Sequence, residues 1–147
     1  MYRKSMVWCI ALFLLVAVAS PGTPSNVPSQ KDKEKIALKV ALDWLKLVDN
    51  GKYPESWKGT SGLFRTAVTQ DQWAQSMKGG REPLGALVSR KMKTSKYATE
   101  LPGAPLGEYV VIQFETMFAN RKSIIVETVT PMLDKDKEWR VSGYFIK

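Results

Sequence analysis

The chain has 147 residues, with 22 lysines and arginines against 14 aspartates and glutamates, no histidine, and one cysteine, Cys9. Without histidine there is no Ser-His-Asp or Cys-His nucleophile system, and the usual zinc sites are excluded as well. The formal charge of +8 suits a hydrated surface or an anionic partner.

The first residues, MYRKSMVWCIALFLLVAVASPG, have the layout of an export signal. Arg3 and Lys4 precede an apolar run from Met6 to Val18, and Ala17 and Ala19 supply the small-x-small pattern of a cleavage site after Ala19. The run is shorter than the roughly 20 residues that a bilayer span requires; an uncleaved membrane anchor is the alternative. Cys9 follows Trp8 inside the run, which does not match a lipoprotein site, and it would leave with the signal. The expectation is a periplasmic or secreted protein: a signal peptide over 1–19, a flexible linker over 20–31 and a single domain over 32–147. Removing Arg3 and Lys4 lowers the charge of +8 to about +6. The exported chain would carry no thiol, so its stability must come from its core.

Ser20 to Gln30 (SPGTPSNVPSQ) reads as the tether. Ile36, Ala37, Val40, Ala41, Trp44, Leu45 and Val48 then recur at helical intervals as one apolar stripe, and Asn50-Gly51 supplies a left-handed stop. Tyr53 to Val68 reads as short helical turns broken by glycines, with Trp57, Leu63, Phe64 and Val68 packing back on the first helix. Thr69 and Gln72 match a capping box. The helix that it opens carries Trp73 and Met77 and is expected to stop at Gly79-Gly80.

After Pro83 the period changes to two. Ala86, Val88, Arg90, Met92 and Thr94 would share one face of a strand. Glu100 to Gly107 is turn-rich. Tyr109 to Phe118 is a strand with Val110, Ile112, Phe114 and Phe118 on one apolar face; Ser123 to Leu133 and Glu138 to Ile146 are two more. Helices followed by strands argue for an α+β fold. The expected architecture is N-terminal helices packed on a curved antiparallel sheet of about four strands. This order fits a nuclear-transport-factor-2-like fold, with a cystatin-like arrangement as the near alternative.

The remaining chemistry is that of carboxylates, tyrosines and basic residues. A two- or four-residue loop after Phe118 turns Glu127 onto the apolar face, the four-residue one by pairing Phe118 with Ser123, Phe114 with Glu127 and Ile112 with Val129. A three-residue loop would turn it away. A buried carboxylate must be paired, or its pKa rises. Glu127 therefore reads either as an internal partner of Arg90 or Arg140, or as a pocket-lining general base or ligand anchor. Asp43, beside Trp44, is the other candidate acid, and Tyr144 a candidate catalytic group. Arg90, Tyr109 and Trp57 are candidates for orienting a ligand. Trp57, Trp73 and Trp139 also suit core positions, and Arg81 suits a surface cap for the end of its helix. No metal site and no cofactor motif is present.

The stretches ALDWLKLVDNGKYPESW (41–57), FRTAVTQDQW (64–73), REPLGALVSRK (81–91), ATELPGAPLGEYVVIQFETMFAN (98–120) and VETVTPML with EWRVSGYFIK (126–147) resemble the bacterial "domain of unknown function 4019" family. The resemblance spans about residues 33 to 147. It implies a small exported bacterial protein, and it carries over no catalytic residue, because the family has no established activity.

Three functions are compatible with these residues. The first is a non-enzymatic module binding a ligand, an envelope protein, anionic lipid or cell-wall polymer; export argues against nucleic acid. The second is a lyase, isomerase or hydrolase using Glu127 or Asp43 in a sheet-lined pocket. The third is a structural envelope protein that forms a homodimer through its sheet.

Overall fold

A computed structural model describes residues 27–147. The leader and the greater part of the tether read from the sequence lie outside the described residues. Helix α1 (Gln30–Asp49) is followed by α2 (Tyr53–Lys58), α3 (Gly62–Ala67) and α4 (Gln70–Gly80), a 3-10 turn (Glu82–Leu84), and then strands β1 (Leu87–Ala98), β2 (Tyr109–Phe118), β3 (Ile125–Leu133) and β4 (Trp139–Ile146). The strands form one antiparallel sheet in the order β1-β2-β3-β4. The fold is α+β, as the order of elements implies.

Helix α1 starts earlier than its apolar stripe suggests. Ser29 accepts from the Asp32 amide and Asp32 accepts from the Ser29 amide, a reciprocal cap that makes Gln30 and Lys31 helical rather than tether. Ala37, Ala41, Trp44, Leu45 and Val48 are buried, whereas Ile36 is left exposed at the stripe's edge. The helix packs against all four strands, and Gly51 (φ 70°) provides the left-handed turn that ends it.

The helices α2 and α4 are tied to α1 through one hydroxyl-bearing residue. The fully buried Ser56 accepts the Trp44 indole N–H on its carbonyl at 2.8 Å and the Trp73 indole N–H on its Oγ at 2.9 Å. Trp44, Trp73 and Tyr144 meet at ring-centroid distances of 5.4–6.1 Å, and Phe64 stands edge-on to Trp73. These aromatics, with Ile112, Phe114, Val129 and Val141 from the sheet, form the main core.

Two expectations are corrected here. Helix α4 runs through Gly79 and Gly80 and is capped by Arg81. Beyond it Pro83, with no N–H to donate to the Gly79 carbonyl, cannot extend the α-helical ladder, and the chain passes into the 3-10 turn. In β1, strict alternation fails because Val88 and Lys93 are extra residues at two bulges. Arg90 and Met92, then Ser95 and Tyr97, stand opposite the inward-facing Thr116, Phe114, Ile112 and Val110. Thr94 is thereby moved off the inner face, and Val88 is 62% exposed. The bulges and the exposed lysines 91, 93 and 96 also protect this edge strand from pairing with other chains. At the other edge, the α2–α3 link covers β4: the Ser61 amide donates to the Val141 carbonyl at 2.9 Å.

Two glycines make opposite predictions. Gly85 has φ +81°, and a Cβ there would lie 2.8 Å from Asn120 Cγ. Gly85→Ala should cost about 1 kcal/mol or more. Gly79 lies in a helix with open space around it, so Gly79→Ala should add ~0.5–1 kcal/mol. Urea unfolding of both variants measures each sign directly.

Candidate functional site

Each strand contributes one side chain to a polar network inside the sheet: Arg90 from β1, Thr116 from β2, Glu127 from β3 and Tyr144 from β4. The register that brings them together is the one the even loop predicts, with Phe114 opposite Glu127 and Ile112 opposite Val129. Glu127 is 0% exposed. Its carboxylate accepts from Arg90 Nε at 2.7 Å and Nη2 at 3.1 Å, from the Thr116 hydroxyl at 2.5 Å and from the Tyr144 hydroxyl at 2.6 Å.

The network continues to the helices. Arg90 also donates Nη1 and Nη2 to Asp49, at 2.7 and 3.0 Å, and Asp49 accepts Arg81 Nη2 at 3.0 Å. Arg81 further donates to the Gly85 carbonyl at 2.8 Å and lies 4.0 Å above the centre of the Phe118 ring. Its Nε has no partner among the described residues. Two arginines and two carboxylates alternate, so the charge of the cluster sums to zero. Arg81 is 3% exposed, which corrects its reading as a surface cap: its backbone caps α4 while its side chain turns inward to Asp49. Arg140 is not the partner of Glu127. It binds Asp136 through both terminal nitrogens at 2.7 Å and reaches Asp134 at 3.5 Å, because the β3–β4 turn places both acids beside it.

Burial opposes the charge of Arg90, but the hydrogen bonds to Asp49 and Glu127 outweigh it and raise its pKa. Burial, reinforced by the Glu127 charge, pushes the Tyr144 hydroxyl far above the usual tyrosine range, so it stays protonated and donates.

The other candidates lie apart from this cluster. Asp43 is exposed on α1, held between Lys39 at 2.7 Å and Lys46 at 2.9 Å, and these hydrogen bonds lower its pKa to about 2. Tyr109 is buried, donates its hydroxyl to the Pro105 carbonyl at 2.7 Å, and lines a cleft of about 620 Å³ with Leu63, Leu106 and Met132. Trp57 packs on the main core and donates to the Val68 carbonyl at 2.8 Å. The structure thus brings Glu127, Arg90 and Tyr144 together and leaves Asp43, Tyr109 and Trp57 elsewhere.

Sequence reasoning missed Asp49, Thr116 and the inward turn of Arg81. Two signals were present. Asp49 lies four residues after Leu45, on the apolar stripe, in a last turn where the helix dipole disfavours a carboxylate. Thr116 interrupts the inward series Val110, Ile112, Phe114, Phe118.

Tyr144 gives a pH test. Its hydroxyl pKa is raised on folding, so its contribution is complete below the unfolded value of about 10 and is lost as pH rises beyond it. Tyr53 and Tyr109, raised by burial, act in the same sense. Urea midpoints should be flat to about pH 9 and fall above about pH 10. Tyr144→Phe should cost ~1.5–3 kcal/mol at pH 7, the range of a hydrogen bond to a charged group, and should flatten part of the alkaline fall.

No curated protein and no solved structure matches the chain. A family model does match, over residues 40–144, the span that holds every member of the buried network, the first three strands and β4 as far as Tyr144. The chain belongs to that family, described as "Protein of unknown function (DUF4019)".

Proposed function

We propose that this protein acts outside the cytoplasm as a non-enzymatic module that binds a ligand or a partner. The observation that carries this reading is the saturation of Glu127. An ionised carboxylate offers about four acceptor positions, and Glu127 receives four donors from Arg90, Thr116 and Tyr144. A general base must present a free lone pair within reach of a substrate proton; Glu127 has neither the lone pair nor the exposure. Asp43, with a pKa of about 2, is far from the poise of an efficient base near neutral pH. The Tyr144 proton is committed inward to Glu127.

The surface offers what the interior withholds. Clefts lined by apolar and basic side chains open beside α1 and beside the turn after Thr99; concave, mostly apolar surfaces with a few polar groups are the usual form of a ligand site. The outer sheet face carries Gln113, Thr128 and Thr130 beside Phe145, a mixed surface that favours this reading over a sheet-to-sheet homodimer. The leader-like N-terminus supports a location where envelope proteins, anionic lipids and cell-wall polymer are the available partners.

Fractionation of cells carrying the native gene should place the chain in the periplasm, beginning after Ala19 by mass spectrometry. Molecules retained through purification should be recovered chemically unchanged after incubation. Full-length chain in the cytosol would overturn the location. Conversion of a retained molecule, lost in a folded Glu127→Gln variant, would overturn the non-enzymatic reading.

A further inference from the structure

The groove between α1 and the start of β1 combines a ligand-sized volume with apolar walls. Its volume is about 640 Å³, inside the roughly 300–1,000 Å³ range of small-molecule sites. Its walls are apolar, formed by Leu38 and Leu42 from the helix and Leu87 and Val88 from the strand. Leu42, Leu87 and Val88 stay 37%, 38% and 62% exposed, whereas Leu38 is partly buried against the main core. The first β1 bulge is the cause for Val88: the extra residue is displaced from the inner face and stands beside the helix instead.

The charged groups around these walls are unequal in sign. Lys35, Lys39 and Lys46 line the helix side, with Asp43 as the sole carboxylate among them; at the bottom, Asp49 and Arg90 neutralise each other. Lys39 and Lys46 are both drawn to Asp43, which gathers two ammonium groups at one point on the rim. The rim therefore keeps a surplus of positive charge beside the apolar walls. A neutral apolar ligand would leave the surplus unused, and a cationic one would be repelled by it.

We infer that this groove binds a single-chain anionic amphiphile of the fatty-acid type, its chain along Leu38, Leu42, Leu87 and Val88 and its carboxylate among Lys35, Lys39 and Lys46. A membrane surface is the competing occupant, and the titration below separates the two. The inference rests on the binding-module reading and names the ligand class for one of its clefts.

Calorimetric titration of the purified protein with octanoate, decanoate and dodecanoate, below their micellar concentrations, tests it. Binding should be one-to-one and tighten about four-fold per added methylene, the factor that ~0.8 kcal/mol represents. It should weaken with added salt, and Lys35→Glu should weaken it up to about five-fold, the factor for an exposed ion pair of ~1 kcal/mol. Dodecyltrimethylammonium should not compete. Val88→Asp and Leu42→Glu, both at exposed positions, should abolish binding with circular dichroism unchanged. Affinity independent of chain length, equal affinity for the cation, or wild-type binding in both groove variants would overturn the inference. So would binding to anionic phospholipid vesicles without binding to monomeric decanoate, since the occupant would then be a membrane. Failure in the groove variants leaves the module reading standing, whereas chemical turnover of a bound molecule removes that reading and leaves the groove's affinity intact.

Discussion

A carboxylate with no exposed surface sits at the centre of this sheet, and the arrangement around it follows from keeping it charged. Removing an ion from water costs several kcal/mol even after the protein relaxes. Glu127 is compensated by Arg90, Thr116 and Tyr144, one residue from each other strand. Arg90 in turn requires Asp49, and Asp49 is shared with Arg81. The network therefore ties all four strands to the end of α1 and to the cap of α4. A slip of one residue in any pairing would send one member to the outer face, so the cluster selects the register as well as holding the layers together. Tyr144 joins it to the aromatic core, since the same ring packs on Trp44 and Trp73.

The interior and the surface consequently divide their roles. Internal hydrogen bonds and the balanced charge of the cluster occupy the groups that otherwise look most reactive in the sequence. What faces outward is a set of shallow clefts with apolar walls and lysine rims. Membership of the family of unknown function adds no chemistry to either, so the functional reading stands on the difference between a saturated Glu127 carboxylate and open surface clefts.

Much of this was legible in the residues, for identifiable reasons. The apolar stripe of α1, the Thr69–Gln72 capping box and the alternation of β2 each rest on local periodicity or spacing, and each is observed. Glu127 was legible because the connection from Phe118 to β3 has even parity, which fixes the face without fixing the loop. The bulges at Val88 and Lys93 were not legible: they depend on how β1 fits β2, and no residue there announces an extra position. The passage of α4 through Gly79 and Gly80 was hidden for a related reason. Glycine weakens a helix by only about 1 kcal/mol, which the packing of Trp73 and Met77 overrides. Arg81 and Asp49 come together over a separation that local patterns do not see.

The central claim is that the Arg90–Glu127 pair is a buried structural linchpin rather than an exposed or catalytic one. A double-mutant cycle with Arg90→Met and Glu127→Gln, read by urea unfolding, tests it most directly. Each single variant should lose about 3–5 kcal/mol by leaving a buried charge without its partner, and the double variant should lose well under the sum, with a coupling of about 2 kcal/mol or more. Additive losses of under about 1 kcal/mol each, the behaviour of a surface ion pair, would contradict the account.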